Sequence, residues 1–235
     1  TKRITFAELK LGILGAINNI GVPGAVGFGV GVCPALPTGY TALPGFAEVG
    51  NANYGNYQYT DGSICVWVPA FYTRLGHPDN PTYATYGVNS RSILPLSAYG
   101  GAASAAADSY YLHRAFINAG MVQPGFFRDK YDCSNNGGVA SSIALAMPMV
   151  SGPNLVGTPQ VGFSAVGATN AYHGAIVAAK TRGTKFFPES VFIADALCCI
   201  SEAHAQASTA TTHCAWWDTT GVRNYPKGND NNALK

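Results

Sequence analysis

The chain has 235 residues, carries 14 Lys and Arg against 12 Asp and Glu for a net charge of +2, and is only 11% charged, against about 25% in an ordinary soluble domain. Its length suffices for a buried core. Its cations are scattered, with no run longer than Lys2-Arg3, which excludes the clustered charge that phosphate binding needs, so no nucleic-acid partner is expected.

The first predicted element follows Thr5-Phe6-Ala7-Glu8, a capping box, behind which Phe6, Leu9, Ile13 and Ile17 recur at helical spacing until Asn18-Asn19 and Gly21. The apolar face of this helix docks either on its own domain or on a neighbouring subunit. From Leu11 to Ala47 there is no charged residue, but Asn18, Asn19, Pro23, Pro34 and Pro37 interrupt the run well short of the ~20 apolar residues of a membrane span. A packed irregular arm is expected, and no membrane span; a membrane-active segment at Leu11 to Val32 is the weaker reading, testable by liposome leakage. Gly27-Phe28-Gly29-Val30-Gly31 is followed by Val32 and does not make a dinucleotide fingerprint.

Thr60-Asp61-Gly62-Ser63 reads as a turn, Ile64 to Val68 as a buried strand stopped by Pro69, and Phe71 to Leu75 as continued β structure. A short helix is expected from Ser109 to Asn118. Between Cys133 and Ala179 no residue is charged, the composition of long loops that carry binding surfaces or pack on other subunits. Two helices follow. Asn170 caps the first and Gly183 lies beyond its last turn; Pro188 and Glu189 open the second, which runs to Ala207. Val191, Ala194, Leu197, Cys198 and Ser201 share one face of this second helix, and Phe192, Ala196, Cys199 and Ala203 cover much of the rest, so a buried central helix is expected.

The six cysteines, Cys33, Cys65, Cys133, Cys198, Cys199 and Cys214, form no C-x-x-C pair. With no signal-peptide pattern at the start, they read as reduced, small, buried hydrophobes made in a cytoplasm. Cys198 and Cys199 point about 100° apart on a helix, which disfavours a shared metal or a disulfide.

No chemistry-bearing motif emerges. Gly162 to Val166 lacks the last glycine of a nucleophile elbow, and no H-E-x-x-H occurs. His204, His213 and Cys214 match no common zinc spacing, and a polar structural role is expected of them. His173, near a helix start, reads as packed or capping. Asp195 and Glu202 stand two turns apart on the second helix, where Arg182 or Arg128 would be their natural partners. The expectation is no catalytic residue, no metal ligand and no cofactor, with the ligand-binding residues unassigned. Tyr54, Tyr57, Tyr59, Tyr83, Tyr86, Tyr99, Tyr110 and Tyr111 fall largely outside the predicted core and suit either ligand contact or subunit contact.

Four segments carry a resemblance to a known family. Ala175, Arg182, Gly183, Pro188, Glu189 and Ala194 are landmarks of the helix-turn-helix segment of the formylglycine-generating enzymes, with Phe186-Phe187 where Leu-Pro leads the usual motif and Phe192 near the usual Trp. Val66-x-Val68-Pro69-Ala70-x-Tyr72 and Gly76 resemble that family's opening strand, and Phe126 to Asn135 its F-x-I-D-K-Y-E-V-T-N strand, with Asp132 for Glu, Ser134 for Thr and Arg128 for Ile. The stretches CAWWD and NYPKGNDNNALK, from Cys214 onward, are similar to phage-encoded relatives. The resemblance implies an α+β, C-type-lectin-like domain at 51–235, with two core helices, short strands and long irregular loops, incomplete at its C-terminus and preceded at 1–50 by a helix and an apolar Gly/Pro-rich arm. It implies a non-enzymatic bacteriophage virion protein of the tail fibre, tail tip or a capsid appendage, assembled in the host cytoplasm. Such a protein is a homo-oligomer, a trimer for preference, which contacts other virion proteins and a host-surface glycan or protein. The alternative is a fragment of a bacterial formylglycine-generating-type oxidase; the family's cysteine pair has no counterpart here.

Overall fold

The computed structural model describes residues 20–149 and 171–208; the predicted N-terminal helix, Asn170, the 162–166 stretch, His213, Cys214 and the CAWWD segment lie outside them. Strands β1 (Tyr40–Ala42), β2 (Asn56–Tyr59), β3 (Ile64–Pro69) and β9 (Gly125–Asp129) make one antiparallel sheet in the order β1-β2-β3-β9. Strands β4 (Phe71–Leu75), β5 (Arg91–Pro95) and β6 (Tyr111–Leu112) make a second, ordered β5-β4-β6. Two ribbons, β7 (Ile117–Asn118) with β8 (Met121–Val122) and β10 (Ser134–Asn136) with β11 (Val139–Ser141), complete the β structure. The helices are α1 (Tyr83–Tyr86), α2 (Ala102–Ala107), α3 (Ala171–Thr181) and α4 (Val191–Ala207). The described fold is α+β, with small antiparallel sheets and few helices.

The expected strand at residues 64–68 and its continuation are present, and they belong to different sheets. Pro69 pairs with Gly125 while Phe71 pairs with Pro95, so the chain changes sheet at Ala70, whose N–H donates to the Pro124 carbonyl. The turn at Asp61-Gly62 closes the β2–β3 hairpin: Gly62 has φ +88°, which glycine adopts without strain, and the Asp61 carboxylate accepts from the Ser63 N–H at 2.9 Å. Between the two sheets and α4 lies the main core, with Ile20, Val68, Phe71, Ile93 and Phe116 packed on Ala196, Cys199 and Ala203.

Three expectations change. The second helix starts at Val191 rather than Pro188, because the Ser190 hydroxyl caps it by accepting from the Ile193 N–H, the role for which serine is favoured. Its buried stripe is Ile193, Ala196, Cys199 and Ala203, while Val191 and Phe192 are 74% and 46% exposed; small side chains let this face approach the sheets closely, so the helix is buried on one side only. No helix forms at residues 109–118. The six residues before them, Ala102–Ala107, are the better helix former and make α2, after which Ser109 takes φ +62° and the chain runs into β6 and a 3₁₀ turn at Arg114–Phe116.

The described part of the arm packs on the sheets and on α4. Ile20 is fully buried, the Gly24 N–H donates to His204 Nδ1 at 3.1 Å, Phe28 stacks on the His204 ring at 5.6 Å, and the Gly31 N–H reaches the Trp67 carbonyl. No helix among the described residues is long and apolar enough to cross a membrane. The tyrosines divide: Tyr57 and Tyr110 are core residues, whereas Tyr86 and Tyr111 are exposed.

Candidate functional site

The strand registers place a set of side chains on one face of the first sheet. Tyr40 is opposite Tyr59, Tyr57 is opposite Cys65, Cys65 is opposite Asp129, and Trp67 is opposite Phe127. Cross-strand neighbours on one face touch, and the rings form a continuous run. Phe186 meets Tyr59 at 5.0 Å, Tyr59 meets Tyr40 at 4.9 Å, Tyr40 stacks on Phe127 at 4.2 Å, and Phe127 meets Trp67 edge-on at 5.0 Å.

Against this face, α3 and the linker to α4 enclose a groove of about 670 Å³, within the range of small-ligand sites. Ala175, Ala178 and Ala179 supply the wall on α3, Lys185 to Glu189 the linker wall, and Phe126 to Asp129 the β9 wall. Both faces of β9 contribute because β9 is the edge strand of its sheet. At the rim, the Arg128 and Glu189 side chains pair across the groove, and Phe187 is 58% exposed.

The floor is held by Arg182. Its Nη1 donates to Asp129 Oδ1 at 2.7 Å, its Nε lies 3.1 Å from Asp61 Oδ2, and Nε and Nη2 also reach the Ala140 carbonyl. Its side chain is 4% exposed. Burial alone would lower its pKa, but the Asp129 hydrogen bond and the two carboxylates outweigh burial and raise it. Burial likewise pushes Asp61 up, yet hydrogen bonds from Ser141 and Ser63, with the Arg182 charge, hold it below its ordinary value. Asp129 also accepts from two thiols, Cys65 Sγ at 3.3 Å and Cys133 Sγ at 3.1 Å. Burial and the Asp129 charge raise both thiols, Cys133 to about 12, so neither is a ready nucleophile near neutrality. Every strong charge on the floor is committed to a partner.

A second cluster joins His113, Asp195 and Cys199, whose donor atoms all lie within 4.8 Å of one another. Asp195 and Cys199 are one turn apart on α4, and His113 is 97% buried on the 3₁₀ turn. The hydrogen bonds decide its chemistry. His113 Nδ1 accepts from the Ala115 N–H at 3.2 Å, which leaves the proton on Nε2, 2.9 Å from Asp195 Oδ2. A neutral imidazole with that tautomer has no lone pair at Nε2 for a metal and none to spare for the Cys199 proton. Burial pushes Cys199 up to about 11, with the nearby Arg91 charge working the other way. The geometry fits a tie between α4 and the second sheet better than a metal or thiol-catalytic centre.

The residues singled out from sequence scatter. Asp195 pairs with His113 and Glu202 with Arg91 at 2.8 Å, not with Arg182 or Arg128, because both carboxylates point away from the groove toward the second sheet. His204 takes the arm's Gly24 N–H; His173 lies on the exposed side of α3. Cys33, Cys65, Cys133, Cys198 and Cys199 carry free thiols, and Cys198 is exposed. Sequence reasoning missed Asp61, Asp129 and the Cys65/Cys133 pair as one unit, and it named Arg182 as a landmark and as a partner for Asp195 or Glu202 rather than for Asp129 and Asp61. The available signal was the D-G turn facing a lone Arg after an alanine-rich helix. Comparison with family models, curated proteins and solved structures gives no match.

Proposed function

We propose that the chain is a non-enzymatic binding component of a bacteriophage virion, built on a C-type-lectin-like scaffold, in which the aromatic groove between the first sheet and α3 contacts the host surface. One observation carries the binding reading: the groove's reactive groups are locked, Arg182 to Asp129 and Asp61, with both thiols on Asp129, whereas its aromatic rim is open. That pattern supports recognition by area and shape. The alternative oxidase reading would rest on the family's cysteine pair, which has no counterpart in this sequence.

A low-charge surface supports assembly into a homo-oligomer, for preference a trimer. So do the exposed apolar side chains of Ile117, Met121 and Val122 and the half-exposed Phe192, over whose ring the Arg114 guanidinium lies at 5.3 Å. Light scattering on the native assembly, with binding of the fluorescently labelled protein to intact bacterial cells, tests the reading. A stable trimer or larger complex that decorates cells is the expected result; a monomer that leaves every cell type unlabelled overturns it.

A further inference from the structure

We infer that a second cavity, at the end of β4, is a site for a free α-amino acid, with the ligand's carboxylate on Arg74 and its ammonium on Asp108. The cavity shares no residue with the aromatic groove, so this site stands or falls apart from the binding reading above. It encloses about 570 Å³ between the loop after β4, with His77 and Asp79, and the turn after α2, with Asp108 and Ser109. Its anchor is Arg74. That residue is 7% exposed and makes no ion pair among the described residues, unlike Arg91, Arg128 and Arg182. Its partners are all uncharged groups: Nε donates to Asn80 Oδ1 at 2.8 Å, Nη1 donates to the Asp108 carbonyl at 3.0 Å, and the guanidinium lies 4.4 Å from the centre of the Tyr110 ring. These partners are themselves fixed. Asn80 is buried and donates to the carbonyl and hydroxyl of Ser90, and the Tyr110 hydroxyl is bonded to Ser92, which stands opposite Arg74 on β5. The guanidinium is therefore held in one orientation, a preorganisation that lowers the cost of binding. Its Nη2 makes no hydrogen bond among the described residues and is not a sealed atom, so its N–H groups open into the cavity that the side chain lines.

The charges set the ligand's class. A largely buried guanidinium without a counter-charge favours an anion, because its desolvation is uncompensated until one arrives, and its planar N–H groups match a carboxylate. The same lining carries two carboxylates, Asp79 and Asp108, against this one arginine, which disfavours a dianion such as phosphate. Asp108 is the residue whose carbonyl takes Nη1, so its side chain stands within one residue's reach of the guanidinium without pairing to it. Tyr99 donates to Asp108 Oδ2 at 3.0 Å and orients that carboxylate. A ligand with a carboxylate and an ammonium on one carbon meets both charges at once. A plain acid meets only the first, and a plain amine only the second. Ser109 and His77 supply further hydrogen-bonding groups in the lining, and the volume lies within the range of small-ligand sites.

The test is thermal unfolding of the full chain with each of the common protein amino acids, followed by calorimetric titration with those that raise the midpoint. Each is compared with its N-acetyl and its amide derivative, which remove one charge apiece, and with inorganic phosphate. At least one amino acid should bind saturably, and both of its derivatives and phosphate should bind at least about tenfold more weakly. Its binding should move the backbone amides of Asp79, Ser109 and Tyr110 and leave those of Phe127 and Phe187 in the groove unmoved. Asp108→Asn keeps the carbonyl on Arg74 and removes only the charge; it should weaken binding about tenfold with an unchanged midpoint in the absence of ligand. Failure of every amino acid to bind overturns the inference, as do shifts confined to the groove. Phosphate or the N-acetyl derivative binding as tightly as the amino acid would make this a plain anion site and overturns it, and so does affinity indifferent to Asp108→Asn.

Discussion

Arg182 and Asp129 meet at 2.7 Å although 53 residues separate them, and this pair fastens the end of α3 to the edge strand of the first sheet. The same guanidinium reaches Asp61 in the β2–β3 turn, so three segments converge on one cation. Removing it leaves two carboxylates largely out of water without a counter-charge. Arg182→Ala is expected to lower stability by about 3–5 kcal/mol, read by urea unfolding, and to abolish any groove ligand binding. A loss below about 1 kcal/mol, the value of an exposed pair, would show that α3 does not depend on it.

The same cluster sets an acid limit. Asp61 has its pKa lowered by folding, so its contribution is fully present above the unfolded carboxylate value of about 3.9 and is lost as pH falls through the lower, folded value. Asp61→Asn should therefore be less stable at neutral pH and show a shallower fall in stability below about pH 4 than the parent, measured by urea unfolding at stepped pH. Parallel pH profiles for the two proteins would contradict the assignment.

Thiol reactivity should sort by burial. Cys65 and Cys199 are 1% and 2% exposed and have raised pKa values, whereas Cys198 faces solvent. Brief alkylation of the native protein at pH 8, followed by peptide mass mapping, should mark Cys198 well ahead of Cys65 and Cys199. Early labelling of Cys65 would mean that the groove floor opens readily.

The His113 Nδ1 should accept from the Ala115 N–H while its Nε2–H faces Asp195. Long-range ¹H–¹⁵N correlation reads this directly. Titration with Co(II) should produce no thiolate-to-metal absorption from Cys199; such a band, lost in Cys199→Ser, would establish a metal centre instead.

Gly24 has φ +85°, and a Cβ there would stand 2.7 Å from the Ala207 carbonyl oxygen at the end of α4. Gly24→Ala is expected to cost at least ~1 kcal/mol from left-handed backbone strain alone, and Ile20→Ala about 2–5 kcal/mol for its buried side chain. Thermal or denaturant unfolding measures both. If neither substitution matters, the arm does not pack on its own chain in solution.

Local physical chemistry was legible in the sequence wherever it is local. The D-G turn, the strand stopped at Pro69 and the break between the last two helices at Gly183 follow from alternation, proline and glycine chemistry, and helix punctuation, all of which act over a few residues. The α4 start was misread by three residues because Ser190, the true cap, follows a Pro-Glu pair that mimics a first turn. The missing helix at 109–118 was misread because its tyrosines and leucine look amphipathic until β4 takes Tyr111 and Leu112 as a strand.

Only the tertiary structure decided which charges meet. Arg182, Asp61 and Asp129 sit in three segments that no periodicity links, and the face of α4 that is buried depends on how closely Ala196, Cys199 and Ala203 let it approach the sheets. Composition by itself determined a chain poor in charge and rich in tyrosine. Whether a given ring became core, as Tyr57 did, or groove wall, as Tyr59 did, was fixed by strand register and by where the helices lie across the sheet, because pairing between distant segments leaves no trace in either segment alone.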